Sequence, residues 1–256
     1  MGRILSIINQ KGGVGKTTTA ICMAAVLAGE NYRVLLLDLD PQCNLSYCAA
    51  AEFDHDKTVL EFLLKQASAE DCIQHLEHFD LIGGSSSLSG LSDCLNGGGR
   101  EYRLREVLAP LKAKYDFILI DSPPALSLVT VEALTASDSF IITAQSDIFS
   151  MQGIGQLYGT YETVKNYSNP DLKIDGILLT RHTDRLLFSR KTGNDLEEMA
   201  GEMGTVVFET RIHESVKVRE AAALQKNLLE FAPKSRPAMD YKEFTKEYLK
   251  RTGEQP

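Results

Sequence analysis

The residues predict an α/β fold, a doubly wound and mostly parallel sheet, and three observations carry that prediction. Short, near-continuous apolar runs recur along the chain, separated by helical stretches. Strands buried on both faces of a parallel sheet read this way. The first run leads into a glycine-rich turn and then a helix-forming stretch. Two later runs end in Asp, at the strand end where such sheets carry their ligands.

Ile4-Leu5-Ser6-Ile7-Ile8 is the first strand, and Thr19 to Leu27, rich in Ala, Leu and Met, is the first helix. Between them lie Gln10, Lys11, Gly12, Gly13, Val14, Gly15, Lys16, Thr17 and Thr18. Strand, glycine-rich turn and helix in that order form a phosphate-binding loop. The glycines let several backbone N–H groups face one point, and the helix N-terminus adds partial positive charge there. Lys16 supplies a full charge to the β- and γ-phosphates of a nucleotide, and the Thr17 hydroxyl is placed to ligate Mg²⁺. The usual pattern is G-x-x-x-x-G-K-[ST]; here Gln10 replaces its first glycine and a second lysine, Lys11, follows.

Arg33 to Asp40 is the second strand, ending in Asp38 and Asp40 before Pro41-Gln42 breaks it. Residues 57–66 are helical, Phe79-Asp80-Leu81-Ile82 is a short strand, and Ser85-Ser86-Ser87 is a turn and helix cap. Gly97-Gly98-Gly99 is a flexible joint, and Leu104, Val107, Leu108 and Leu111 line one face of a helix. Phe117-Ile118-Leu119-Ile120-Asp121, followed by Ser122-Pro123-Pro124, has the form of a Walker B segment, whose carboxylate orders Mg²⁺. Further strands follow at Ser139 to Ala144, Ile174 to Thr180 and Val206 to Phe208. Helices follow at Gly155 to Lys165, Phe188 to Met199, Ser215 to Leu224 with Ser215 as cap, and Ala238 to Lys250. No repeat and no linker divides the chain, so residues 1–256 are expected to form one domain.

Composition narrows the function classes. No apolar run reaches 18 residues, and the N-terminus lacks a signal-peptide layout, so a cytoplasmic protein is expected. The five cysteines (Cys22, Cys43, Cys48, Cys72 and Cys94) form no C-x-x-C pair and are expected reduced, with no metal site. A net charge of −8 argues against a general polyanion binder. Arg181 to Arg251, however, carries 14 Lys and Arg against 12 Asp and Glu, which leaves room for a local basic face.

Lys11-Gly12-Gly13-Val14-Gly15-Lys16-Thr17-Thr18, Asp38-Leu39-Asp40-Pro41-Gln42 and Ile120-Asp121-Ser122-Pro123-Pro124 together resemble the ParA family of deviant-Walker ATPases. Gly176 to Thr180, Glu220-Ala221 and Pro233-Lys234-Ser235-Arg236 fit the same family, so the likeness runs from Ile4 to about Leu249. It is the short form that is resembled, without an N-terminal helix-turn-helix. The resemblance implies a cycle. ATP with Mg²⁺ closes a homodimer face to face, and the dimer binds DNA without sequence preference on the nucleoid. A ParB-like activator protein then stimulates hydrolysis and releases it. Lys11 matches the signature lysine that reaches the partner subunit's phosphates, and Asp40 the residue that orients the attacking water. Asp38 is assigned to the Mg²⁺ neighbourhood with Thr17 and Asp121. The adenine pocket is expected near Thr180, Arg181, Ile212 and His213, with His213 standing where relatives usually carry Pro. DNA contact is expected from Arg185, Arg190, Lys191, Lys217, Arg219 and Arg236.

Three rival functions share the loop. A MinD-like membrane-positioning ATPase needs a basic amphipathic tail; here acids interleave the lysines from Asp240 to Arg251, which favours a docked terminal helix and no membrane. A reductase of the nitrogenase iron-protein type needs bridging cysteines in a glycine-rich loop after Asp121, and none is there. A non-catalytic nucleotide scaffold is opposed by intact Lys16, Thr17, Asp40 and Asp121.

Overall fold

The computed structural model describes residues 2–52, 55–91, 98–183 and 188–254. Seven strands form one sheet: β1 (Arg3–Ile8), β2 (Val34–Asp38), β3 (Ile73–His75), β4 (Asp80–Ile82), β5 (Phe117–Asp121), β6 (Ser139–Ala144) and β7 (Lys173–Leu179). Their order is β3-β4-β2-β5-β1-β6-β7. All pairings are parallel except β3–β4, an antiparallel edge. The central strands are buried on both faces because their residues alternate between two apolar layers. Leu5 and Ile7 of β1 face one layer with Leu36, Phe117 and Leu119. Ile4 faces the opposite side with Leu35, Leu37, Ile118 and Ile120, and Ile8 faces it with Phe140 and Ile142.

Helix α1 (Lys16–Gly29) and the C-terminal helix Arg236–Thr252 cover the first layer. Tyr241, Phe244 and Tyr248 of the C-terminal helix are buried, and Tyr241 OH meets Thr19 Oγ1 of α1 at 3.1 Å. The apolar face of this tail is therefore committed to the core, as expected of a docked helix. Helices Leu128–Ala136, Ile148–Tyr167 and Phe188–Glu202 lie on the other side. No described helix is long and apolar enough to cross a membrane.

Two expectations change. Val206 to Phe208 does not form a strand; Val207 makes a single bridge to Ile177, beside β7. Phe208 instead turns its ring onto Gly176, where an added Cβ would lie 2.4 Å from the ring, so only glycine fits there. The short strand after residue 78 is preceded by an unexpected partner, β3, which closes the edge by a tight hairpin. Cys94 and Gly97 lie outside the described residues.

Candidate functional site: a phosphate cradle at the strand ends

The cradle is built by the connection between β1 and α1. Gly15 has φ 80° at the cap of α1, a left-handed conformation that glycine adopts without Cβ strain. The loop is tied down before any ligand arrives. Thr180 Oγ1 donates to Val14 O at 2.8 Å, and Lys11 N donates to Asn9 Oδ1 at 2.8 Å. Gln145 Nε2 donates to Gly13 O at 3.2 Å. A cleft of about 480 Å³ opens over it. Gly12, Gly13, Gly15, Lys16, Thr17 and Thr18 line one part, and Asp40 and Pro124 lie alongside. Thr180, Arg181, Ile212 and His213, expected at the adenine end, also line this cleft.

Lys16 is only 7% exposed and its Nζ donates to Lys11 O at 3.3 Å. Burial lowers its pKa, while Asp121 and Asp40 pull it back up. Asp121 is fully buried, and burial drives its carboxyl well above the ordinary carboxylate range, with Asp38 adding to the rise. A hydrogen bond from Thr17 and the charge of Lys16 oppose that rise. Thr17 Oγ1 donates to Asp121 Oδ2 at 2.6 Å, while Asp121 Oδ1 is buried with no partner. An orphaned carboxylate oxygen beside a hydroxyl is a hard-oxygen donor set that a small divalent cation completes.

Asp40 lines the cleft and accepts from Gln42 N through Oδ1 at 2.9 Å. Asp38, expected in the Mg²⁺ neighbourhood, sits beside Asp121 in the sheet register, and its oxygens also bond within its own loop. Its Oδ2 accepts from Ser46 N at 2.9 Å and Ser46 Oγ at 2.7 Å, and its Oδ1 accepts from Asp40 N at 3.2 Å. Burial pushes its carboxyl up to about 6 despite those bonds. With both oxygens engaged, Asp38 buttresses the loop that carries Asp40.

Lys11 does not face its own cleft. Its Nζ pairs with Asp147 Oδ2 at 2.7 Å and approaches Gln145 Oε1 at 3.4 Å. Asp147 also caps helix Ile148–Tyr167 by accepting from Ser150 N at 2.8 Å. Neither Gln145 nor Asp147 was singled out from the sequence. The signal available was an Asp immediately before an apolar, helix-forming run.

The cationic candidates separate. Lys217 pairs with Glu220 at 2.7 Å, Arg236 with Asp240 at 3.1 Å, and Arg181 with Glu214 at 2.7 Å. Arg219 is exposed and lines the cleft itself. Arg185 lies outside the described residues, and for Arg190 and Lys191 only the backbone of their helix is described. His213 donates through its backbone N to Asp240 Oδ2 at 2.9 Å, and its Nδ1 lies 2.8 Å from the same oxygen. That makes it a wall residue anchored to the C-terminal helix.

A parallel sheet with a glycine loop at one strand end and buried Asp121 at the next defines a P-loop ATPase with a deviant Walker A loop. A family model described as an AAA domain matches residues 2–174. The chromosome partitioning protein ParA of Myxococcus xanthus is 38% identical over 255 residues, covering 98% of this chain and 89% of its own. The sporulation initiation inhibitor protein Soj of Bacillus subtilis is 38% identical over 251 residues, covering 96% and 98%. Among solved structures, cobyrinic acid a,c-diamide synthase of Mycobacterium smegmatis with bound ADP and magnesium superposes with a TM-score of 0.86. It is 31% identical and covers 99% of this chain and 96% of its own. The chain belongs to the ParA family of P-loop ATPases.

Proposed function

We propose that this protein is an ATP-dependent DNA-partitioning ATPase whose ATP-bound homodimer grips DNA non-specifically and lets go on hydrolysis. The observation that carries the dimer is the direction of Lys11. A lysine in the phosphate loop that turns out of its own cleft to Asp147 is available to a second subunit once that ion pair opens. An in-trans cation neutralises transition-state charge only after association, as an arginine finger does.

Thr17 and Asp121 would hold Mg²⁺, which when bound supplies charge neutralisation at the phosphates. Lys16 and the loop amides bind and orient the phosphates, and Asp40 positions the water through its oxygen not engaged by Gln42. Lys217 and Arg236, with Arg190 and Lys191 on their helix, are the DNA-facing candidates. Each of the first two is half-committed to an acid. Weak single contacts of this kind gain strength when a dimer doubles them, and they weaken steeply with salt. Such a protein sits on the nucleoid and answers to a ParB-like activator. The buried face of the C-terminal helix argues against a membrane role.

The deciding experiment is DNA binding at low salt with and without ATP. ATP-dependent binding by wild type is expected; indifference to DNA would remove the partition reading. Asp40→Ala should still bind ATP, hydrolyse it about 10²-fold more slowly or worse, and stay on DNA. Wild-type phosphate release by that variant would clear Asp40 of its role. Asp147→Asn keeps the helix cap but releases Lys11. Its melting should change by no more than the about 1 kcal/mol of a half-exposed ion pair. Its ATP-dependent dimerisation, read by sedimentation, should be tighter; an unchanged or weaker dimer counts against the held-lysine view.

A further inference from the structure

We propose that Arg219 is a nucleotide-binding cation of the cleft, acting on the phosphates, and not a contact to DNA. The inference rests on the nucleotide reading above. Ser215, the cap of helix Val216–Ala223, lines the cleft, and so do Val218 and Arg219 of the helix's first turn. Lys217, two residues from Arg219, is turned about 200° around the helix axis. It points away from the cleft, paired with Glu220 and lying 5.7 Å from the centre of the Phe231 ring. The same helix thus presents one cation to each side.

The charges around the cleft make Arg219 distinctive. Lys16 is buried between Asp121 and Asp40, and Arg181 is bonded to Glu214 at 2.7 Å. Arg219 is exposed in the cleft and makes no ion pair among the described residues. A cation without a carboxylate partner, lining the cleft that opens over the phosphate cradle, has its counter-charge supplied by the ligand. Guanidinium suits that role, because its planar fork meets two phosphate oxygens at once. A nucleoside polyphosphate would then be held by Lys16 from the loop and by Arg219 from a second element.

Calorimetry without DNA tests this, titrating Mg-ATP, Mg-ADP and adenosine at low salt into wild type, Arg219→Gln, Arg219→Lys and Lys173→Gln. The last removes the same charge from an exposed position at the start of β7. Arg219→Gln should weaken ATP about tenfold, ADP less, and adenosine not at all. Arg219→Lys should recover part of the loss, and Lys173→Gln should match wild type. Melting of nucleotide-free Arg219→Gln should equal wild type, since the side chain has no partner to lose. The inference is overturned if Arg219→Gln binds ATP like wild type, or if adenosine weakens as much as ATP. Wild type that binds no ATP would sink the nucleotide reading itself, an outcome visible before any variant is compared.

Discussion

Lys16→Ala should lose ATP binding by about 10²-fold or more while the chain stays folded. The ammonium is nearly buried, at 7% exposure, and it interacts with both Asp121 and Asp40. Truncating one member of a buried charge cluster costs roughly 2–5 kcal/mol, because the remaining charges are left uncompensated. Two effects act in the same direction here: the phosphates lose their cation, and two carboxylates at the cradle lose theirs. ATP-dependent DNA binding should vanish with nucleotide affinity. Calorimetry with a circular-dichroism melt separates loss of binding from loss of fold. Near-wild-type affinity in a folded variant would mean that the loop amides alone bind the phosphates.

The second large effect lies away from the cleft. Glu132→Gln should make the protein more stable in mild alkali. Glu132 is fully buried in helix Leu128–Ala136, and neither carboxylate oxygen has a hydrogen-bond partner. Burial pushes its carboxyl from 4.5 up to about 8, with Arg103 drawing it down and Glu101 raising it. The folded state therefore holds a proton that the unfolded state releases. Stability contributed by the neutral form is present in full below 4.5 and is lost as pH rises towards 8. At pH 9 wild type should be about 5 kcal/mol less stable than Glu132→Gln, roughly 10 °C or more in Tm. At pH 6 the gap should shrink to about 2 kcal/mol, and below pH 4.5 it should close. A wild-type melt that is flat between pH 6 and 9 would mean that Glu132 finds a partner in solution.

Much of the architecture could be read from residues because its signals are local. β1, β2, β5, β6 and β7 are apolar runs with clear ends, and the loop before Lys16 carries its own grammar of glycines. Helix Leu128–Ala136 went unseen for a physical reason. Nearly all its residues are buried, so no polar face marks a helical period. Strand β3 is three residues long and contains Gln74 and His75, too short and polar to announce itself. Within the site, proximity of Lys16, Thr17 and Asp121 followed from motif spacing, but direction did not. Only the fold brings Lys11 to Asp147, Asp38 to Ser46, and Arg219 into the cleft while Lys217 pairs with Glu220.

The strand order sets when this protein can be made whole. β1 has no early neighbour: Arg3 pairs with Phe117 on one side, and Leu5 with Ser139 on the other. On a ribosome adding 5–20 residues per second, the first strand waits on the order of ten seconds for its partners to emerge. During that interval the apolar stretch Ile4–Ile8 and the glycine loop behind it are unfolded chain, open to chaperones and to sticking. Nucleotide capture cannot assist early folding, because the cradle depends on Asp121 and on Thr180, both synthesised late. Shortage of a holding chaperone during synthesis should therefore cost yield more than a missing nucleotide would.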